Sequence, residues 1–139
     1  MKKIMLIALL FLKVSVSFSQ HQITGKWLTQ DNDAIIEITE RQGKFFGKIV
    51  WLKEPNDKKG VPFTDTENPN PALRQQPLIG LEILKNCYFQ KNEWKGGSTY
   101  DPQTGKNYDC TLWLSDNNTL KFRGYWGYFY LTQTWKRTK

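Results

Sequence analysis

Ile23-Thr24-Gly25-Lys26-Trp27, near the start of the chain, pairs a glycine with a large aromatic two positions on. Residues two apart on a strand face the same side of a sheet. Trp27 therefore points inward from an opening strand, and Gly25, with no side chain, lets a neighbouring backbone or ring come close. An indole set this early organises whatever sheet folds over it. The last third supplies such a sheet. Tyr108, Cys110, Leu112 and Leu114 alternate with Asp109, Thr111 and Trp113. After a turn at Asp116-Asn117-Asn118, Leu120, Phe122, Gly124 and Trp126 alternate with Lys121, Arg123 and Tyr125. Past Gly127, Phe129, Leu131, Gln133 and Trp135 alternate with Tyr130, Thr132, Thr134 and Lys136. Three alternating runs joined by tight turns are a β-meander.

The middle of the chain reads as strands interrupted once. Gln30-Asp31-Asn32-Asp33 is a turn, Ala34 to Thr39 a β-branched strand, and Glu40-Arg41-Gln42-Gly43 a second turn. Lys44 to Leu52 is a long strand with Phe45, Gly47, Ile49 and Trp51 on one face and Phe46, Lys48, Val50 and Leu52 on the other. Lys53 to Pro77 then holds Pro55, Pro62, Pro69, Pro71 and Pro77 and shows no period, apart from one short helical turn expected within Asn70 to Gln76. A connection this long in a compact domain is usually functional or disordered, and its prolines argue for an extended path over the surface. Leu78 to Leu84 resumes as a strand, Lys85 to Gln90 is looser, and Trp94 to Tyr100 is a strand bent or bulged at Gly96-Gly97. Asp101-Pro102-Gln103-Thr104-Gly105 makes a tight turn.

These runs amount to an all-β chain of about eight strands with no convincing helix. Eight antiparallel strands with short turns close into a single up-and-down barrel, which leaves no exposed edge. An open sandwich is the competing architecture. The inward candidates are Trp27, Phe45, Trp51, Leu112, Phe122, Trp126 and Trp135. Barrels of this size either hold one small ligand or are filled by side chains. Both alternatives stand at this point.

The N-terminus precedes the fold. Lys2 and Lys3 lead into an apolar run from Ile4 to Leu12, and Ser17-Phe18-Ser19 presents small residues where a signal peptidase reads. The run is shorter than the roughly 20 apolar residues a bilayer requires. Residues 1–19 are thus expected to be a cleaved signal peptide and 20–139 the exported domain, in the periplasm or outside the cell. Losing Lys2, Lys3 and Lys13 reduces the formal charge of +7. About +4 remains, a mildly basic surface without a nucleic-acid footprint. Cys87 and Cys110 are read as buried thiols in preference to a disulfide, although export permits one.

Chemistry-bearing constellations are sparse. His21 is the single histidine and lies in a terminal segment, and Cys110 lacks an activating partner, so no nucleophile–base pair is assembled. Too few Cys and His are present for a thiolate or imidazole metal site. The oxygen-rich loop around Asp65 to Asn70 lacks the spacing of a Ca²⁺ loop. Asp65 and Glu67 are expected as solvated loop charges and Asp101 as a turn former. The reading is therefore of a non-enzyme with no catalytic residue, metal or cofactor.

In order and spacing, several segments resemble the DUF2147 family of exported bacterial proteins. They include Gly25-Lys26-Trp27, Gly47 to Leu52, Asp65 with Asn68 to Pro71, and Pro77 to Leu81. They continue through Trp94 to Gly97, Tyr100-Asp101-Pro102, Arg123-Gly124-Tyr125 and Thr134-Trp135. The resemblance implies a lipocalin-type barrel and transfers no active site. The Gly-x-Trp start is also similar to the lipocalin signature, which implies a late basic residue across the tryptophan: Arg137 first, Arg123 second. Gly25, Trp27, Trp135 and Arg137 are then structural. The expected function is binding of a small apolar or lipid-like ligand by Phe45, Trp51, Phe122 and Trp126, gated by the 53–77 loop. The alternative is an interaction module for an envelope protein, using outward aromatics and a loop site of Asp65, Asn68, Asn70 and Arg74.

Overall fold

Nine strands form one antiparallel sheet in the computed structural model, which describes residues 17–139. They are β1 (Gly25–Leu28), β2 (Ala34–Arg41), β3 (Lys44–Leu52), β4 (Glu82–Gln90), β5 (Glu93–Lys95), β6 (Ser98–Asp101), β7 (Lys106–Asp116), β8 (Thr119–Trp126) and β9 (Phe129–Thr138). The sheet runs β3-β2-β1-β9-β8-β7-β5-β4-β6, and β3 also pairs with β4, so the sheet closes on itself. Both β5 and β6 pair with β4 on one side and β7 on the other. They are one strand position broken in two, and the result is an eight-position up-and-down barrel. Two short 3-10 turns, Gln20–Ile23 and Pro71–Leu73, complete the regular structure. The leader read over residues 1–19 lies outside the described residues except for Ser17, Phe18 and Ser19; Phe18 packs against the core.

The break between β5 and β6 falls at Gly96-Gly97 for a steric reason. A Cβ on Gly97 would lie 2.1 Å from the Lys85 carbonyl and 2.7 Å from the Cys87 amide nitrogen and sulfur. Backbone atoms cannot yield at such distances, so only glycine lets β4 cross here. Cys87 and Cys110 are free thiols, both buried. A hydrogen bond joins them, and with burial it pushes the Cys110 thiol up.

Two bulges displace what alternation alone predicts. Ile35 pairs with Trp51 and Ile36 with Ile49, leaving Val50 as an extra residue on β3. Past it the faces exchange: Trp51 turns out to solvent at 41% exposure, and Leu52 turns inward against the core. The second lies in β4, where Leu84 and Cys87 oppose Gly47 and Phe45 and Asn86 takes a φ of 60°. That irregularity hides the strand in residues 85–90. Leu78 to Leu81, expected as strand, is instead a turn held by Gly80 N–H on the Ile49 carbonyl at 2.7 Å and Ile49 N–H on the Leu81 carbonyl at 3.0 Å.

One end of the barrel is solid. Trp27, Phe45, Leu84, Trp94, Leu112 and Leu120 are essentially inaccessible there. The 3-10 turn lies across this end. Trp27 Nε1 donates to the Ile23 carbonyl at 2.8 Å and Trp94 Nε1 to that of Gln20 at 3.1 Å. Arg137 closes over the plug, its guanidinium carbon 4.3 Å from the centre of the Trp27 ring. It donates to the carbonyls of Asn117 and Thr24, each at 2.9 Å, and to that of Gln22. Gly25, at φ 128°, makes room: a Cβ there would sit 2.8 Å from Arg137 Nη1.

Candidate functional site

Hydrophobic strands in a closed barrel fill the interior only where their side chains are large enough. Here the filling stops halfway. The stacked pair Phe122 and Trp135, ring centres 4.8 Å apart and 12° from parallel, forms a floor. Above it lies a cavity of about 830 Å³, within the roughly 300–1,000 Å³ of small-molecule sites. Ile36, Ile49, Leu52, Ile83 and Phe122 supply its apolar walls, and Leu78, Trp126 and Leu131 stand at its rim. Polar groups converge at the rim too: Asp31 and Asp33 from the β1–β2 turn, Asp101 and Lys106 from the β6–β7 turn. Thr29 Oγ1 donates to Asp33 at 2.7 Å, and the Gln103 N–H donates to Asp101 at 2.9 Å.

The four aromatics read as ligand-binding separate into two pairs. Phe122 and Trp126 line the cavity. Phe45 does not: it is wholly buried in the solid half, edge-on to Trp94 with ring centres 6.2 Å apart. Trp51 does not either, because the Val50 bulge turns it outward. The wall residues that sequence reasoning missed include Ile36, Ile49, Leu52, Ile83, Tyr100 and Gly124. Gly124 had a usable signal. It alternates in phase with Phe122 and Trp126, and an inward glycine between two aromatics marks space that no side chain fills.

The 53–77 loop is built around a buried carboxylate, contrary to the expectation that Asp65 is a solvated charge. Asp65 has no exposed surface. It accepts hydrogen bonds from Tyr100 Oη at 2.7 Å, Asn68 Nδ2 at 2.8 Å and Gln76 Nε2 at 3.3 Å. Buried carboxylates persist only when satisfied in this way. Asn68 Oδ1 accepts from the Asn70 N–H at 2.8 Å, Asn70 Oδ1 from the Ala72 N–H at 3.1 Å, and Arg74 Nε donates to the Asn68 carbonyl at 2.7 Å. Asp65, Asn68, Asn70 and Arg74 therefore bond one another and the loop backbone, forming a knot that holds the loop against the barrel. Tyr100 anchors that knot from β6. Burial, then its hydrogen bond to Asp65, pushes the phenol up to about 12, so it remains a proton donor to the carboxylate at any ordinary pH.

Other groups lie elsewhere. His21 Nδ1 sits 2.7 Å from the Glu40 carboxylate at the solid end. No group of three or more His, Cys, Asp or Glu side chains that could hold a metal occurs among the described residues. No helix among them is long and apolar enough to cross a membrane. Trp135 is buried in the floor, and Gly25, Trp27 and Arg137 make the seal at the opposite end.

Comparison with known proteins follows the same geometry. The profile of a bacterial family described as "Uncharacterized protein conserved in bacteria (DUF2147)" matches residues 25–137. Among solved structures, the chain is similar to HP1028 from the human pathogen Helicobacter pylori, a protein reported to belong to the lipocalin family. The TM-score is 0.71 at 30% identity, over 84% of this chain and 82% of that one. No curated protein matches.

Proposed function

Because this chain belongs to the DUF2147 family and folds as a lipocalin-like barrel, we propose that it is an exported carrier for one small apolar or lipid-like molecule. The observation that carries this reading is the cavity of about 830 Å³ above the Phe122–Trp135 floor. Its walls are aliphatic and aromatic, and its charged groups are confined to the rim. That arrangement matches a ligand whose apolar body is buried and whose polar end faces Asp31, Asp33, Asp101 and Lys106. Among the described residues, the acid–phenol pair nearest the cavity, Asp65 and Tyr100, is consumed in fixing the loop. The seal at the other end makes the vessel blind, so binding and release use one mouth. Export rests on the leader sequence, Lys2 to Ser19.

Native mass spectrometry of the gently purified protein, with displacement of an apolar fluorescent probe, tests the reading. The expected result is a co-purified apolar molecule that competes with the probe. A barrel that carries nothing and admits no apolar probe would overturn it.

A further inference from the structure

The outer surface of the β8–β9 hairpin is unlike the rest of the barrel. At its tip Trp126, Tyr128, Phe129, Tyr130 and Leu131 are 47%, 103%, 68%, 58% and 56% exposed. Single exposed apolar residues are unremarkable, but a contiguous group marks a contact surface. The placement is one-sided. Val61, Phe63, Leu73 and Ile79 of the 53–81 connection are exposed at the same end. At the solid end only Tyr88 is comparable among the described residues.

Charge completes the pattern. From Gly124 to Trp135 the hairpin has no charged residue, and from Asn117 to Lys139 it has no acid, while Lys121 and Arg123 stand on its outer face behind the tip. Arg123 is held in place: its guanidinium carbon is 4.2 Å from the centre of the Tyr130 ring and 4.9 Å from that of Trp113, and Nε donates to Thr132 Oγ1 at 2.7 Å. Lys121 Nζ donates to Thr134 Oγ1 at 2.7 Å. The acids of this end, Asp31, Asp33 and Asp101 at the rim and Asp109 opposite Tyr125, lie on neighbouring strands and turns. The hairpin itself offers an uncharged aromatic tip backed by fixed cations, which complements a bilayer surface. Tyr and Trp rings settle at the boundary of headgroups and acyl chains, and cations just above them meet phosphates. Trp126 and Leu131 belong both to this tip and to the cavity rim. The apolar path from surface to interior is therefore continuous.

We propose that the β8–β9 tip docks the mouth of the barrel onto an anionic phospholipid surface, so that an apolar ligand passes between membrane and cavity without crossing water. This rests on the carrier reading for its purpose, but its evidence lies on the outside of the barrel. The test is flotation of the exported protein, its N-terminus fixed by mass spectrometry, with vesicles of phosphatidylcholine alone or mixed with phosphatidylglycerol. Tyr128→Ser combined with Phe129→Ser, and separately Arg123→Gln, are the variants. Neither Tyr128 nor Phe129 lines the cavity. Expected are stronger binding to the mixed vesicles, a loss of about tenfold or more in the double variant, and loss of the phosphatidylglycerol preference in Arg123→Gln. Entry of the apolar probe in detergent-free solution should be unchanged in the double variant. No flotation with either vesicle, or undiminished flotation of the double variant, would overturn the docking while leaving probe binding to judge the carrier. Flotation without probe entry would support docking and defeat the carrier.

Discussion

Trp27 joins the first strand to the last through Arg137, and removing it empties the centre of the solid end. Replacing a fully buried tryptophan by alanine costs about 3–5 kcal/mol; the cation over its face adds about 0.5–2 kcal/mol that is also lost. Trp27→Ala is therefore expected to lower the melting temperature steeply, and an unchanged melting curve would place the indole outside the core. Tyr100 gives a second expectation, in pH. Its phenol ionises near 10 in the unfolded chain and at about 12 in the folded one. Between those values the unfolded state releases a proton that the folded state keeps. Stability from this group is thus full below about pH 10 and falls as pH climbs toward 12. Alkaline melting of Tyr100→Phe should show a shallower decline across that window than the parent. The positions of Gly25 and Trp27 could be read from their spacing alone. The burial of Asp65 could not, because its partner Tyr100 is 35 residues away and nothing local distinguishes a buried carboxylate from a solvated one.

Alternation showed β7, β8 and β9, where polar residues mark one face; β2 was legible from its β-branched content and β3 as a long run apolar on both faces. Alternation failed where a strand carries an extra residue. Val50 is β-branched and carries no turn signal, so nothing in the sequence warns that Trp51 and Leu52 change places after it. Asn86 hid half of β4 in the same way. Gly96-Gly97 was legible as a bend because glycine pairs inside strands rarely serve another purpose. The clash seen at Gly97 leads to an expectation for this element. Gly97→Ala should separate β4 from β6 and destabilise the barrel by several kcal/mol, on the order of other strained backbone substitutions. Chemical denaturation would show it, and a loss of less than about 0.5 kcal/mol, the range of neutral surface changes, would mean that the crossing relaxes freely.

For the molecule as a whole, barrel closure and family resemblance were within reach of the sequence, but the division of the interior into a solid half and a hollow half was not. That division depends on which aromatics stack and where two bulges fall, which are tertiary facts. It makes Gly124 the best place to intervene. A Cβ on Gly124 meets no atom within 4 Å, and its strand conformation suits a larger residue. Gly124→Leu is expected to fill the hollow half, leaving the melting temperature within a few degrees and reducing apolar probe affinity by tenfold or more, about 1.4 kcal/mol. Titration of the probe against parent and variant checks this; equal affinities would put the binding site elsewhere.

The clamp on Trp27 also governs when the protein can exist at all. Arg137 reaches the Thr24 carbonyl across 113 positions of chain, and β1 pairs with β9. Until β9 has been synthesised, the nascent chain is an open ribbon with two raw margins, sticky and unable to lock. Maturation must therefore be all-or-nothing with respect to length, a slow late event of the kind that long-range contacts impose. A premature stop a dozen codons early would leave a species for proteases to clear.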